Sequence, residues 1–97
     1  NLNSNFTIID QDDQVKLIKN ISKAENIDTK KISPKYILSI IDQWKNKGWY
    51  PEDVVLKKRE ILEKSFLSIY KIYQSKLLDL NACDFSDLIF GINVEIL

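Results

Sequence analysis

Apolar side chains recur every three or four residues through most of the chain, which is the period of an amphipathic α-helix. Strand-like alternation is almost absent, and extended character is limited to a short N-terminal lead-in that contains Phe6, Ile8 and Ile9. The pattern therefore predicts an all-α fold, a small bundle of about four helices in which one helix is long.

Start and stop signals divide the first half of the chain into two helices. Asp10 is a good N-cap for the first helix, and the acidic residues after it suit the positive end of a helix dipole. Ser33 followed by Pro34 opens the second helix, because Ser caps free N–H groups and Pro at the first helical position loses no hydrogen bond. Gly48 favours a left-handed stop, so the second helix is predicted over 34–47.

The second half of the chain predicts a long third helix and a short fourth one. Pro51 opens the third helix, which would be about 45 Å long if it ran unbroken to Leu80. Asp84 caps the fourth helix, with Asp87 three residues on as the matching cap residue. The apolar stripe of the third helix consists of Leu62, Phe66, Ile69, Tyr70, Tyr73, Leu77 and Leu80. Its spacing favours packing of the tyrosines in a core or against a partner.

Composition excludes most catalytic chemistry for this polypeptide taken alone. The 97 residues include no His, one Cys and two Gly. A Ser or Cys nucleophile therefore finds no imidazole base, no His or multi-Cys metal site can form, and there is no glycine-rich phosphate loop. We predict no catalytic residue, no metal site and no cofactor in the chain, and an inert thiol at Cys83.

The same sequence favours an intracellular protein. Its apolar runs are too short to span a membrane, its start does not look like an export signal, and a lone Cys suits a reducing compartment. We therefore predict a cytoplasmic location. The chain does not begin with Met, which favours a single subdomain, residues 1–97, excised from a larger protein.

Positive charge is concentrated in one part of a chain whose net charge is zero. Five lysines and a single acid, Asp42, fall within residues 30–50, together with two tryptophans. Cations that neutralise phosphates beside an exposed ring are typical of nucleic-acid binding. Trp44 lies on an apolar stripe, so Trp49 is the better stacking candidate. The predicted DNA-binding residues are Lys30, Lys31, Lys35, Lys45, Lys47, Trp49, Lys57, Lys58 and Arg59. The alternative is that these lysines only solvate a helical face while the tryptophans fill a core.

Three stretches of the chain carry a family resemblance. They run from Asn5 to Gln14, from Ser33 to Asn46, and from Tyr70 through the Asp84-Phe85-Ser86-Asp87-Leu88 element. In this order they resemble the UvrD/PcrA/Rep family of superfamily 1 DNA helicases. Ser86 stands where the family commonly has Asp, and Trp44 where it often has a small residue.

The resemblance implies that residues 1–97 are a 1B-like helical subdomain inserted in the first RecA-like domain of such a helicase. The parent protein would bind ATP and Mg²⁺ and unwind DNA in the 3′ to 5′ direction during repair or replication. The segment itself, which lacks the phosphate loop and the DExx carboxylates, would serve as an accessory DNA-binding subdomain. Its partners would be single-stranded and junction duplex DNA and the remaining helicase domains, with no membrane.

The resemblance also assigns a role to the fourth helix. Asp84, Phe85, Asp87 and Leu88 match the element at which the chain returns to the motor core, which implies that they couple the subdomain to the motor. We expect an exposed apolar face on this helix in the isolated segment, which a homodimer could cover. The alternative function is a helical protein-interaction module that docks a partner through the tyrosine face of the third helix.

Overall fold

A computed structural model describes residues 5–57 and 61–90 of the chain. In this part the regular secondary structure is helical apart from two short strands, which confirms the all-α prediction. In chain order the elements are β1 (Thr7–Ile8), α1 (Gln11–Ala24), α2 (Pro34–Asn46), α3 (Pro51–Lys57), α4 (Ile61–Asp79), β2 (Ala82–Cys83) and α5 (Phe85–Phe90). None of the helices in the described ranges is long and apolar enough to cross a membrane.

The predicted helix boundaries agree with the cap geometry. The Asp10 carboxylate accepts a hydrogen bond from the Asp13 backbone N–H at 2.9 Å. Ser33 Oγ accepts one from the Tyr36 N–H at 3.1 Å. Gly48 has a φ of +74°, the left-handed conformation that favours glycine. These local interactions fix the start of α1 and both ends of α2 within one residue of where the sequence predicts them.

The run from Pro51 to Leu80 is not one continuous helix. Pro51 and Ser75 line the same surface depression, whereas an unbroken helix would separate them by about 36 Å. The Tyr70 hydroxyl also donates to the Trp49 carbonyl oxygen at 2.7 Å. Hence α3 lies back against α4, and α4 alone is the long helix. The fold-back buries Val54 in the core. This burial of apolar surface is favourable, but it depends on tertiary contacts and cannot be predicted from local helix propensity.

The core lies where α1, α2 and α4 meet, with α4 contributing the part of its apolar stripe from Phe66 to Leu77, whereas Leu80 at the end of the predicted stripe is exposed. Trp44 and Tyr70 pack with their ring centroids 5.5 Å apart, so Trp44 is a core residue as predicted. The buried apolar side chains of the three helices are Ile18, Ile21, Ile37, Leu38, Ile41, Trp44, Phe66, Ile69, Tyr70, Tyr73 and Leu77. Because Tyr70 and Tyr73 are fully buried inside the chain, the proposal that this tyrosine face docks a protein partner is wrong.

Two parallel strands join the ends of the described fold. Thr7 pairs with Ala82, and Ile8 pairs with Cys83. The Ile9 N–H continues the ladder by donating to the Cys83 carbonyl oxygen at 2.9 Å. The extended lead-in predicted from the sequence thus holds the segment that leads into α5. The pairing partner could not be predicted, because parallel strands are brought together only by the intervening helices.

Candidate nucleic-acid interface

A buried lysine connects α2 to the start of α5. Lys45 Nζ lies 2.6 Å from Asp84 Oδ2 and 2.9 Å from Asp87 Oδ1. The Lys45 and Asp84 side chains have no solvent exposure, and Asp87 has almost none. An ammonium shared by two buried carboxylates makes short charge-assisted hydrogen bonds, which fix its position closely.

Neutral side chains from α1 and α4 complete this buried network. The Tyr73 hydroxyl donates to Asp84 Oδ2 at 2.8 Å. Gln14 Nε2 donates to the same oxygen at 3.2 Å and to the Tyr73 hydroxyl at 3.1 Å. Gln74 Nε2 donates to Asp87 Oδ1 at 3.2 Å. The network therefore links α1, α2 and α4 to the residue before α5.

Asp84 and Asp87 also cap α5 reciprocally. Asp84 Oδ1 accepts the Asp87 N–H at 2.8 Å, and Asp87 Oδ2 accepts the Asp84 N–H at 3.2 Å. This arrangement satisfies two backbone donors at once. The predicted capping role of Asp84 is confirmed. Nothing in the sequence indicates, however, that both carboxylates share Lys45, which lies 39 positions before Asp84.

The network perturbs the acidities of its members. Burial by itself would raise the pKa of Asp84, but the Lys45 charge and hydrogen bonds from Lys45, the Asp87 N–H and Tyr73 hold that pKa below its usual value. The pKa of Asp87 is raised, because burial and the Asp84 charge outweigh the attraction of Lys45. Burial, reinforced by the Asp84 charge, also raises the pKa of the Tyr73 hydroxyl. Two acidic side chains whose pKa values move in opposite directions thus share one ammonium in the interior.

The prediction that Lys45 contacts DNA does not fit this placement. A side chain that is fully buried and paired with two carboxylates cannot reach a phosphate. A usable signal was present in the sequence. Lys45 follows the buried residues Leu38 and Ile41 by seven and four positions, so helical geometry puts it on their face.

The outer face of α2 carries the basic residues that remain accessible. Six exposed residues fall within about 120° of arc around the helix. They are Lys35, Tyr36, Ser39, Gln43, Asn46 and, at the C-cap, Lys47. The six include no carboxylate, and a lysine stands at each end. Lys30 and Lys31 are also exposed, in the turn that leads into α2.

Two acids lie near this face and are engaged by other groups. Asp42, on its border, is half-buried and accepts a hydrogen bond from Ser86 Oγ at 3.1 Å. Burial raises the pKa of Asp42, and the Asp84 charge adds to this, while Ser86 and Lys45 oppose it. Asp28, in the preceding turn, accepts the Lys30 backbone N–H at 2.9 Å.

Trp49 is less accessible than predicted. It is half-buried and packs against the core. Lys47 Nζ lies over its ring, 4.6 Å from the centroid, so a cation covers part of the surface that a base would need. Lys58, Arg59 and the Lys57 side chain lie outside the described part of the chain, so their predicted DNA contacts stay predictions.

The predicted apolar face of the fourth helix is present on α5. The Phe85 side chain is 61% exposed and that of Ile89 is 70% exposed, one helical turn apart, whereas Leu88 is half-buried. Such large exposed apolar side chains on one short helix are typical of a surface that another part of a protein covers. Within the described residues no group of three or more His, Cys, Asp or Glu side chains is placed to hold a metal ion.

Comparison with known proteins identifies the family. Residues 1–94 match the family described as the UvrD/REP helicase N-terminal domain. The chain belongs to that family. The resemblance of its three motifs to UvrD-type helicases is thereby confirmed.

Individual UvrD/REP relatives align with nearly the whole chain. It is 44% identical over 89 residues to the probable DNA helicase II homolog of Rickettsia conorii, an alignment that covers 91% of this chain and 14% of the relative. It is 39% identical over 88 residues to the ATP-dependent DNA helicase PcrA of Bacillus subtilis, covering 91% and 12% respectively. The chain therefore spans only about an eighth of the length of these relatives.

At Ser86, where the resemblance implies an aspartate, the structure explains why a serine is suitable. Ser86 donates its hydroxyl hydrogen to Asp42, whose carboxylate already lies within the field of Asp84. An aspartate at this position would bring another negative charge to Asp42 and remove the donor. The serine therefore suits a chain that has Asp42 on α2.

Proposed function

We propose that this segment is an accessory DNA-binding subdomain of an ATP-dependent 3′ to 5′ DNA helicase active in repair or replication. The observation that carries the proposal is the outer face of α2, which is exposed, free of carboxylates and flanked by lysines. It is about 18 Å long, enough to follow several consecutive phosphates. Its lysines and neutral polar side chains suit backbone contact without base readout, which a helicase needs in order to accept any sequence.

The names of the relatives support this proposal. Proteins called DNA helicase II and ATP-dependent DNA helicase PcrA share about two fifths of the aligned residues. In the complete polypeptide, ATP and Mg²⁺ would be bound outside this segment, and the cytoplasm would be its compartment. The DNA contacts would come from Lys30, Lys31, Lys35 and Lys47, together with Lys57, Lys58 and Arg59 if their side chains face the same strand.

We assign α5 to the junction with the motor domains. Asp84 and Asp87 hold the start of α5 to α2 through Lys45, so a displacement of the DNA-contacting helix would be transmitted to α5. Phe85 and Ile89 project on its free side, where the remaining helicase domains would cover them. In the isolated 97-residue chain the same face would favour a homodimer, which sedimentation velocity over a range of concentrations would detect.

Charge reversal in the complete polypeptide tests the DNA-binding role. The double variant Lys35→Glu, Lys47→Glu should weaken binding to single strands of any sequence, because it replaces two attractions with repulsions. The slope of log affinity against log salt should fall by about 1.4, or about 0.7 per lost phosphate contact. The matched control is Lys19→Glu, Lys71→Glu, the same charge change at exposed positions on α1 and α4. If both pairs of substitutions weaken binding equally, or if neither pair weakens it, the outer face of α2 is not the contact surface.

A further inference from the structure

Tyr36 is an exposed aromatic residue in the first turn of α2. Its side chain is 54% exposed, more than any other large aromatic or aliphatic side chain described on α2. Lys35 precedes it directly, and the exposed Lys30 and Lys31 lie in the turn before the helix. The ring therefore lies within the most basic stretch of the described surface of α2 and its leading turn.

The ring is held in place from one side. Phe66 of α4 packs against it at a centroid separation of 6.0 Å and an interplanar angle of 74°, an edge-to-face contact. Phe66 itself is buried in the core. The Ser33 cap fixes the backbone of Tyr36 through its N–H. A tyrosine braced in this way loses little further side-chain entropy when a second flat group packs on its open side.

We propose that Tyr36 stacks on an unpaired base, which makes the outer face of α2 a site for single-stranded DNA. This inference rests on the proposed function and adds the form of DNA that the face accepts. In a duplex both faces of each base are stacked on neighbours, so only an unpaired strand offers a face to a protein ring. The lysines attract the phosphate backbone of DNA of any sequence. Every base has a π-face, so the contact imposes no sequence preference.

Tyr36 takes the role that the sequence suggested for Trp49. Trp49 packs partly against the core and lies under the Lys47 ammonium, whereas Tyr36 keeps more than half of its surface open. Tyrosines in amphipathic helices are often core residues, so the sequence alone does not indicate that Tyr36 is accessible. In the folded chain Tyr36 lies beside the buried Ile37 but outside the apolar stripe of α2, so its ring is exposed.

The test measures binding of the complete polypeptide to a labelled oligo-dT strand and to the same strand with abasic sites in place of the bases. Tyr36→Leu keeps an apolar side chain against Phe66 but removes the aromatic face. It should weaken binding to oligo-dT by about fivefold or more, the low end of base stacking energies, and leave binding to the abasic strand unchanged. Tyr36→Phe and Tyr36→Trp should retain binding, and thermal unfolding should verify that all variants fold.

The outcomes separate this inference from the proposed function. An equal loss on both strands, or no loss on either, would overturn stacking by Tyr36. If the Lys35→Glu, Lys47→Glu pair weakens binding while Tyr36→Leu does not, the lysine surface stands and only the stacking inference fails. If neither set of variants matters while the complete polypeptide binds DNA, the proposed function of this face fails as well.

Discussion

Lys45 Nζ and Asp84 Oδ2 lie 2.6 Å apart in the interior, although the two residues are 39 positions apart in the chain. With Asp87 they form a buried group of two carboxylates and one ammonium. Such groups contribute to stability only while every charge keeps its partners, because an unpaired ion in the interior carries its full desolvation cost. The network is therefore the most sensitive point at which α2 and α5 are joined.

Removal of the lysine charge should destabilise the chain strongly. Lys45→Met leaves two carboxylates without a cation and should lower the free energy of unfolding by about 3–5 kcal/mol, as measured by urea denaturation. Lys47→Met, at an exposed position two residues on, is the control: it loses only the contact of its ammonium with the Trp49 ring and should change the free energy of unfolding by about 1 kcal/mol or less. Adding Asp84→Asn and Asp87→Asn to Lys45→Met should restore part of the loss. A loss at Lys45 no larger than that at Lys47 would contradict the buried ion pair.

The two core tyrosines should differ in what their hydroxyls contribute. Tyr73→Phe removes a donor to the charged Asp84 and an acceptor for Gln14, and should cost about 1.5–3 kcal/mol. Tyr70→Phe removes a single bond to the Trp49 carbonyl and should cost about 0.5–1.5 kcal/mol. Urea midpoints of the two variants give the comparison directly. The reverse order would mean that Asp84 does not depend on Tyr73.

Neutralising Asp42 should stabilise the chain near neutral pH. Because the pKa of Asp42 is raised on folding, the native state binds its proton more tightly than the unfolded state does. Ionisation of Asp42 therefore lowers the free energy of unfolding as the pH rises through the raised pKa. This loss is absent below the unfolded pKa of 3.8, where the carboxyl group is protonated in both states. Asp42→Asn can still accept from Ser86 and should have a higher urea midpoint than the wild type at pH 7. The difference should vanish near pH 3, and a constant difference across this range would be inconsistent with the raised pKa.

The Cys83 thiol should react slowly in the folded chain. The residue is buried, and burial, with the charges of Asp87 and Asp84, raises its pKa to about 11 against the opposing charge of Lys45. The thiolate is the reactive species, and little of it exists at pH 8 because the pKa of the thiol lies well above that pH. Modification by a disulfide reagent should be much slower in buffer than in 8 M urea, with the unfolded chain as the control. Equally fast modification in both conditions would show that the thiol is accessible in the native fold.

The sequence by itself determined the start of α1, both ends of α2 and the start of α5. Asp10, Ser33, Gly48 and the Asp84–Asp87 pair act on backbone groups within a few residues, so their effects can be predicted from neighbours alone. The same holds for the apolar stripes, because helical periodicity decides which side chains share a face. The family motifs were also visible at this level.

The tertiary structure alone decided which charges are buried and how the elements pair. The fold-back of α3 on α4 and the pairing of Thr7 with Ala82 both depend on contacts between distant parts of the chain. The placement of Lys45 beside Asp84 and Asp87 moved a predicted phosphate contact into the core, since only the folded chain supplies two carboxylates that offset the cost of burying an ammonium. The support of the Tyr36 ring likewise depends on the tertiary structure, because Phe66 reaches it from α4, a distant part of the chain.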